Sequence, residues 1–362
     1  MSVKLHGLRI SYYTGKMEAY LRYKEIPFEF VTLNPERMRR LRRETGAAQM
    51  PSVELADGRF MTDTTPMIEW FEEAHRAHPV LPDATALRVV AYLLEDYADE
   101  WLWRPAMHYR WSYAADRAHL GRLIADELLA DVRLPGLLKR AFIRRRQLGR
   151  YVRGDGVNAR TCRHVESIYL RTLNRLDAIF AERPFLLGRR PSLADFGFFA
   201  SMFRHFSQDP TASTIMRERA PGVLEWQARL WNARGSAYAN AAWEMEPSGV
   251  EALLADVATA YLPYLNDNAR AWQAGQTHFD PQIEGVQYEA VPVSQYRVWC
   301  LEQLQRRVKA LPFEARADAE AMLERYGCLA PLFEIEAPCS RFDEGAGAPF
   351  RGRKVHYQNR RD

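Results

Sequence analysis

Four consecutive hydroxyl residues, Ser11, Tyr12, Tyr13 and Thr14, lie between a short apolar run and the first helical pattern of this 362-residue chain. A hydroxyl at a helix start donates a hydrogen bond beside free backbone N–H groups, a combination that stabilises an anion. A second group of this kind is Asp63-Thr64, ahead of MIEWFEEAHR. There the first-turn N–H groups and the Thr hydroxyl suit a carboxylate. Helix capping alone is the competing reading of both groups. Between them, Gln49-Met50-Pro51 marks a turn into an extended run. Thiol–disulfide chemistry at the first turn is excluded, because residues 1–161 contain no cysteine. Cys162, Cys300, Cys328 and Cys339 form no CxxC pair, and no His, Asp and Glu set has metal-ligand spacing. Reduced thiols and no metal are therefore expected.

Strands and helices can be read around these groups. VKLHGL (3–8) is a buried strand, and SYYTGKMEAYLRYKEIP behind it is a helix carrying Met17, Tyr20, Leu21 and Tyr23 that Pro27 ends. FEFVTL (28–33) alternates as a strand, Pro35 opens the basic helix PERMRRLRRE, and Gly46 closes it. PSVEL (51–55) and RFMT (59–62) form a hairpin around Asp57-Gly58, and Asp63 with Pro66 has the chemistry of a helix N-terminus. HPVLPDA (78–84) reads as a linker. Helical spacing then dominates, with Leu87, Val90, Ala91, Leu94, Tyr97, Ala98, Trp101 and Leu102 on one face and Val165, Ile168, Tyr169, Thr172, Leu173, Leu176, Ile179 and Phe180 on another. Ser192 and Asp195 form a capping box ahead of an apolar helix that must be central. Beyond Pro247, residues 251–272 and 294–311 give amphipathic helices flanking a hairpin-like stretch at Glu284-Gly285. After Pro331 the chain reads as loop, with a frayed end, RGRKVHYQNRRD.

Hydrophobic residues are 47% and charged residues 27% of the chain, an ordinary globular composition. No uncharged stretch approaches the roughly 18 residues of a membrane span, and the start lacks an apolar signal core. A cytoplasmic protein without stable membrane insertion is expected. A net charge of +4 is too small for the whole molecule to bind polyanions, so no nucleic-acid partner is expected. Residues 138–163 are an exception, with nine cationic residues against Asp155 alone. An acidic partner, an anionic lipid surface or RNA would suit that block, but Phe142 and Tyr151 are its only aromatics, and a solvated insertion is the plainer reading. A second basic stripe runs from Arg37 to Arg43.

Four pieces in this order resemble the soluble glutathione transferase superfamily across residues 3–245: LHGLRISYYTGKMEAYLRYKEIPFE, QMPSVEL, DGRFMTDTTPMIEWFE and PFLLGRRPSLADFGFF. The resemblance implies an α/β thioredoxin-like N-terminal domain (1–78) and an all-α C-terminal bundle (85–246) carrying the basic insertion. An extension (247–362), helical then loop-like, comes after them. The resemblance also implies glutathione as co-substrate, held by Gln49, Met50, Pro51 (after a cis bond), Asp63 and Thr64. It places Ser11 at the thiol, with Tyr12, Tyr13 and Thr14 as open alternatives. An apolar or aromatic electrophile would then sit against Tyr12, Met107, His108, Tyr109 and Trp111, for which core packing is the alternative. A homodimeric detoxification enzyme is implied, with a non-catalytic binding or scaffold protein as the competing class. Two residues depart from the common pattern: Tyr12 stands where many members have Pro, and Thr64 replaces the commoner Ser. Energetically one hydroxyl is enough. Lowering a thiol pKa of about 8.5 by two units takes about 2.7 kcal/mol. A charged hydrogen bond gives roughly 1.5–3 kcal/mol and a helix start about 0.3–2. The extension is expected to pack over the bundle, narrowing the electrophile pocket or replacing part of a dimer surface.

Overall fold

The computed structural model describes residues 2–342 and 347–351. Its first unit runs β1 (Val3–Gly7), α1 (Tyr12–Tyr23), β2 (Phe28–Thr32), α2 (Pro35–Thr45), β3 (Ser52–Glu54), β4 (Phe60–Thr62) and α3 (Thr64–Ala74). The Asn34 side chain accepts from Arg37 N at 2.8 Å to start α2, and Gly46 at φ 79° closes it, a conformation glycine adopts without steric cost. The sheet order is β2-β1-β3-β4, with β1 parallel to β2 and antiparallel to β3. His6 faces Ser52, and Ser52 faces Thr62. That register brings the end of β1, the start of β3 and the end of β4 to one end of the sheet. Ser11, Pro51 and Thr64 follow or precede those three strand ends.

A helical bundle comes next: α4 (Thr85–Asp96), a wide π turn over Tyr97–Trp101, α5 (Trp103–Ser112), α6 (Ala114–Leu128), α7 (Gly136–Gln147), α8 (Cys162–Glu182), α9 (Leu193–Ser201), α10 (Pro210–Arg219) and α11 (Pro221–Asn232). Both apolar faces read from the sequence are buried. The capping box at Ser192 forms, with Ser192 N donating to Asp195 Oδ2 at 2.9 Å. Every residue of α9 is buried, so this helix is the centre of the bundle.

The extension folds onto the bundle. It comprises α12 (Glu251–Asp256), a π turn over Val257–Tyr261, α13 (Leu262–Gln273), the short strands β5 (His278–Phe279), β6 (Gln282–Ile283), β7 (Val286–Gln287) and β8 (Val291–Pro292), then α14 (Gln295–Lys309), α15 (Phe313–Arg325) and α16 (Leu329–Leu332). Glu284 and Gly285 both take positive φ, 49° and 81°, giving the β6–β7 hairpin a turn that matches strand twist. Helix α15 lies outside the two extension helices expected from periodicity. Only Ala319, Met322 and Leu323 of it are buried, too few apolar contacts to write a period into the sequence. The frayed end expected at RGRKVHYQNRRD falls almost wholly outside the described residues, which stop at Arg351. Tyr261 and Tyr264 place their rings 5.8 and 5.5 Å from Tyr97 and Trp101, so bundle and extension share one core.

Candidate functional site

The turn between β1 and α1 is clamped from three sides. Ser11 N donates to Leu8 O at 3.0 Å, Arg9 N to Glu127 Oε1 at 2.9 Å, and Arg110 Nη1 to Ile10 O at 3.1 Å. Arg110 is held in turn by Asp209, whose carboxylate oxygens accept from its Nε at 2.9 and 3.0 Å. Ser11 is the N-cap of α1, with extended backbone, and its hydroxyl caps no N–H of the helix. The first intrahelical bond runs from Gly15 N to Ser11 O, so the N–H groups of Tyr12, Tyr13 and Thr14 have no acceptor within the helix.

The four hydroxyls have different surroundings. Tyr12 is buried and donates to Ala98 O at 2.5 Å; burial, then the nearby Asp99 carboxylate, raise its pKa well above the ordinary phenol value. Tyr13 donates to Asp99 O at 3.0 Å and lies 3.4 Å from Glu100 Oε1. Thr14 is fully buried against Gly7, and its Oγ1 has no partner among the described residues. Ser11 is half-buried, at the open end of the helix.

The Met50–Pro51 bond is cis. Gln49 keeps its side-chain Oε1 buried and without a partner among the described residues. At the end of β4, Asp63 takes φ 76° and ψ 110°, a sparsely populated conformation that costs an ordinary residue about 1–3 kcal/mol. Its side chain makes no capping bond to α3, contrary to the sequence-based expectation of an oxygen-bearing cap. The left-handed backbone turns the carboxylate away from the helix, toward the extension. Met67 N closes the first bond of α3 on Asp63 O, leaving the N–H groups of Thr64 and Thr65 outside the helical ladder.

A buried ionic cluster beneath this end of the sheet was not read from the sequence. Lys16 Nζ lies between Asp99 Oδ2, at 2.5 Å, and Glu95 Oε1. Thr65 Oγ1 donates to Glu95 Oε1 at 2.6 Å. Burial alone would depress the Lys16 pKa, but Asp99 and Glu95 together hold it above the ordinary value. Glu95 thus ties both α1, through Lys16, and the start of α3, through Thr65, to the bundle. The available signal was EDYADE, four carboxylates within six residues of an otherwise apolar helical face.

The residues expected at the electrophile wall lie in packed surroundings, the alternative weighed for them. Met107, His108, Tyr109 and Trp111 are buried, with 5, 4, 2 and 1% exposure. His108 Nε2 pairs with Glu166 Oε1 at 3.0 Å, and the Tyr109 ring packs 4.9 Å from Tyr169 on α8. The π turn over Tyr97–Trp101 widens the helix and rotates the chain beyond it, so α5 turns this face to α8. Tyr12 is likewise committed to Ala98. Three half-buried aromatics cluster beside α1: Tyr13 stacks on Trp103 at 5.8 Å and 16°, and Trp103 meets Tyr151 edge-on at 5.6 Å.

The extension closes the remaining side. Tyr296 OH donates to the Asp63 carboxylate, 3.3 and 3.4 Å from its oxygens. Burial first, and Asp63 second, raise the Tyr296 pKa well above its ordinary value, so the phenol remains a donor. Arg297 Nη1 donates to Tyr264 OH at 2.6 Å, and its Nε lies 3.4 Å from Glu100 Oε2. Pro349 O accepts from Thr62 N at 2.9 Å on the outer edge of β4. The Arg37–Arg43 stripe lines a separate open cleft of about 580 Å³ on α2, with Asn34 and Glu36.

Residues 5–79 match the family model described as glutathione S-transferase, N-terminal domain. No curated protein sequence matches the chain. Among solved structures, the chain is similar to the beta-etherase LigF from Sphingobium sp. strain SYK-6, at 19% identity over 64% of this chain and 95% of that one, TM-score 0.45. It is similar to a glutathione S-transferase from Methylobacterium radiotolerans in complex with glutathione sulfonate, at 19% identity over 67% and 96%, TM-score 0.40. A third is FzlA from C. crescentus, at 19% identity over 64% and 88%, TM-score 0.41.

Proposed function

We propose, from an N-terminal domain of the glutathione S-transferase type, that this protein is a glutathione-dependent transferase. The observation that carries the reading is the convergence at one end of the sheet of the Ser11 helix start, the cis Met50–Pro51 turn and the left-handed Asp63 before Thr64. The tripeptide would set its γ-glutamyl carboxylate on the Thr64 and Thr65 N–H groups and pair its backbone with Met50. Its thiol would lie before α1. The Gln49 Oε1, buried and unpaired among the described residues, fits a partly built polar site. Ser11 Oγ donates to the thiolate, helped by the free N–H groups of the first turn. An apolar or aromatic acceptor would lie against Tyr13 and Trp103.

Glutathione-resin retention and ultraviolet titration of the bound thiol test this together. Retention with a thiol pKa well below 8.5 is expected, and Ser11→Ala should raise that pKa by about one unit or more, while Thr14→Val leaves it in place. Absence of binding, or a thiol that titrates identically in the Ser11 variant, overturns the catalytic assignment.

A second reading rests on Tyr296. Its hydroxyl engages the carboxylate that stands beside the proposed γ-glutamyl site, which favours a glutathione transferase-like scaffold whose groove is closed by its own extension. Restoration of resin retention by Tyr296→Phe would assign that contact to blocking. Failure of both wild type and variant to bind would leave the scaffold reading alone.

A further inference from the structure

Among the described residues six large apolar side chains are exposed, and four of them, Leu134, Leu137, Leu138 and Phe142, fall within nine positions at the head of α7. Leu137 is 74% exposed. On a helical projection one semicircle of α7 carries Leu137, Leu138, Ala141, Phe142, Arg145 and Arg146, all exposed, while Ile143 on the other is fully buried. The inner face packs on α6, where the Arg144 stem lies against Gly121. The outer face has no protein covering it among the described residues. Along this face an apolar ridge (Leu134, Leu138, Phe142) passes into a cationic one (Arg145, Arg146, then Arg153). None of these three arginines meets a carboxylate among the described residues. Asp155, the one acid of residues 138–163, is buried on Arg104 at 3.1 Å and offers them nothing.

We propose that α7 is a peripheral membrane-docking helix that lies on an anionic lipid surface, its leucines and Phe142 entering the headgroup boundary and its arginines contacting lipid phosphates. The pattern is that of interfacial amphipathic helices, which combine an apolar ridge with flanking cations and bind without crossing the bilayer. Charge complementarity selects this occupant over a second copy of the chain, since two such faces would bring like charges together. The scarcity of aromatics argues against a stacked nucleic acid. No helix among the described residues is long and apolar enough to cross a membrane.

The test is flotation of the full-length protein with vesicles of phosphatidylcholine alone and of phosphatidylcholine with about a third phosphatidylglycerol, at low and high salt. Binding to the anionic vesicles, weakened at high salt, is expected. Each arginine removed should lower the affinity about fivefold, so Arg145→Ala with Arg146→Ala gives roughly a 25-fold loss. Leu137→Ser, Leu138→Ser and Phe142→Ser combined should abolish flotation while the unfolding midpoint stays near wild type, because these side chains are already in water. The proposal falls if wild type does not float or if the triple variant floats equally. It falls likewise if the triple variant instead dissociates an oligomer of the chain or releases bound RNA or an acidic peptide.

Discussion

At the scale of single residues, Lys16 shows how an ionisable group can be structural inside a candidate site. Its ammonium has no access to solvent and two carboxylates for partners. Removing one member of such a cluster leaves the others as uncompensated buried charges, which costs about 3–5 kcal/mol. Lys16→Met should therefore lower stability by that order in urea unfolding at pH 7. The folded-state pKa of Lys16 is raised, so its contribution is complete throughout the neutral range and is lost only as pH rises beyond the ordinary lysine range. The penalty in the Met variant should shrink in acid, where Asp99, whose pKa burial already raises, binds a proton. A variant no less stable than wild type at pH 7 would refute the pairing. Ser11 was legible at this scale, because a hydroxyl at the front of a helix is a local feature. The commitments of Tyr12 to Ala98 and of Tyr296 to Asp63 were not, since their partners lie 86 and 233 residues away.

At the scale of elements, the β6–β7 hairpin fastens the extension to α8. Glu284 accepts from His164 Nε2 at 3.0 Å and from Arg171 Nη2 at 2.9 Å. The His164 bond and then the Arg171 guanidinium hold its pKa down at about 2. A carboxyl depressed in the folded state stabilises above its unfolded value and loses that contribution as pH falls, here between about 4.5 and 2. Glu284→Gln should cost about 1–3 kcal/mol at pH 7. Limited proteolysis across residues 276–292 should show faster cleavage in the variant, and wild type should approach it as pH drops through that window. Equal cleavage at every pH would remove the hairpin's anchoring role. The turn itself was readable from Glu284-Gly285, but its anchor on α8 depended on how the extension docked. Likewise the helical period predicted the face from Leu87 to Leu102, which is buried. The π turn at Tyr97–Trp101 shifts the phase of α5 beyond it, and no repeat of apolar residues records that shift.

At the scale of the whole molecule, the extension is part of the core. Leu253, Tyr261, Leu265, Val298 and Leu301 are buried, and at about 1.5–3 kcal/mol for each they supply roughly 7–15 kcal/mol. That equals the stability of an ordinary domain, about 5–15 kcal/mol. Arg307 adds an ion pair to Glu69 at 2.5 Å and covers the Tyr92 ring at 4.1 Å. Truncation after Glu246 should therefore leave residues 1–246 without a cooperative unfolding transition in calorimetry. A fragment with the wild-type transition would make the extension an appendage.

Short-range chemistry determined most of the first unit, the capping box and the central helix, because strand alternation, turn dipeptides and helix caps act within a few residues. The sequence likewise identified the three chain segments that meet at Ser11, Pro51 and Thr64. Tertiary structure decided what surrounds them: which aromatics cluster beside α1, which carboxylates share Lys16, and that Tyr296 reaches Asp63. These depend on packing between segments far apart in the chain, where the free energy comes from burial and paired charge and leaves no local periodic trace.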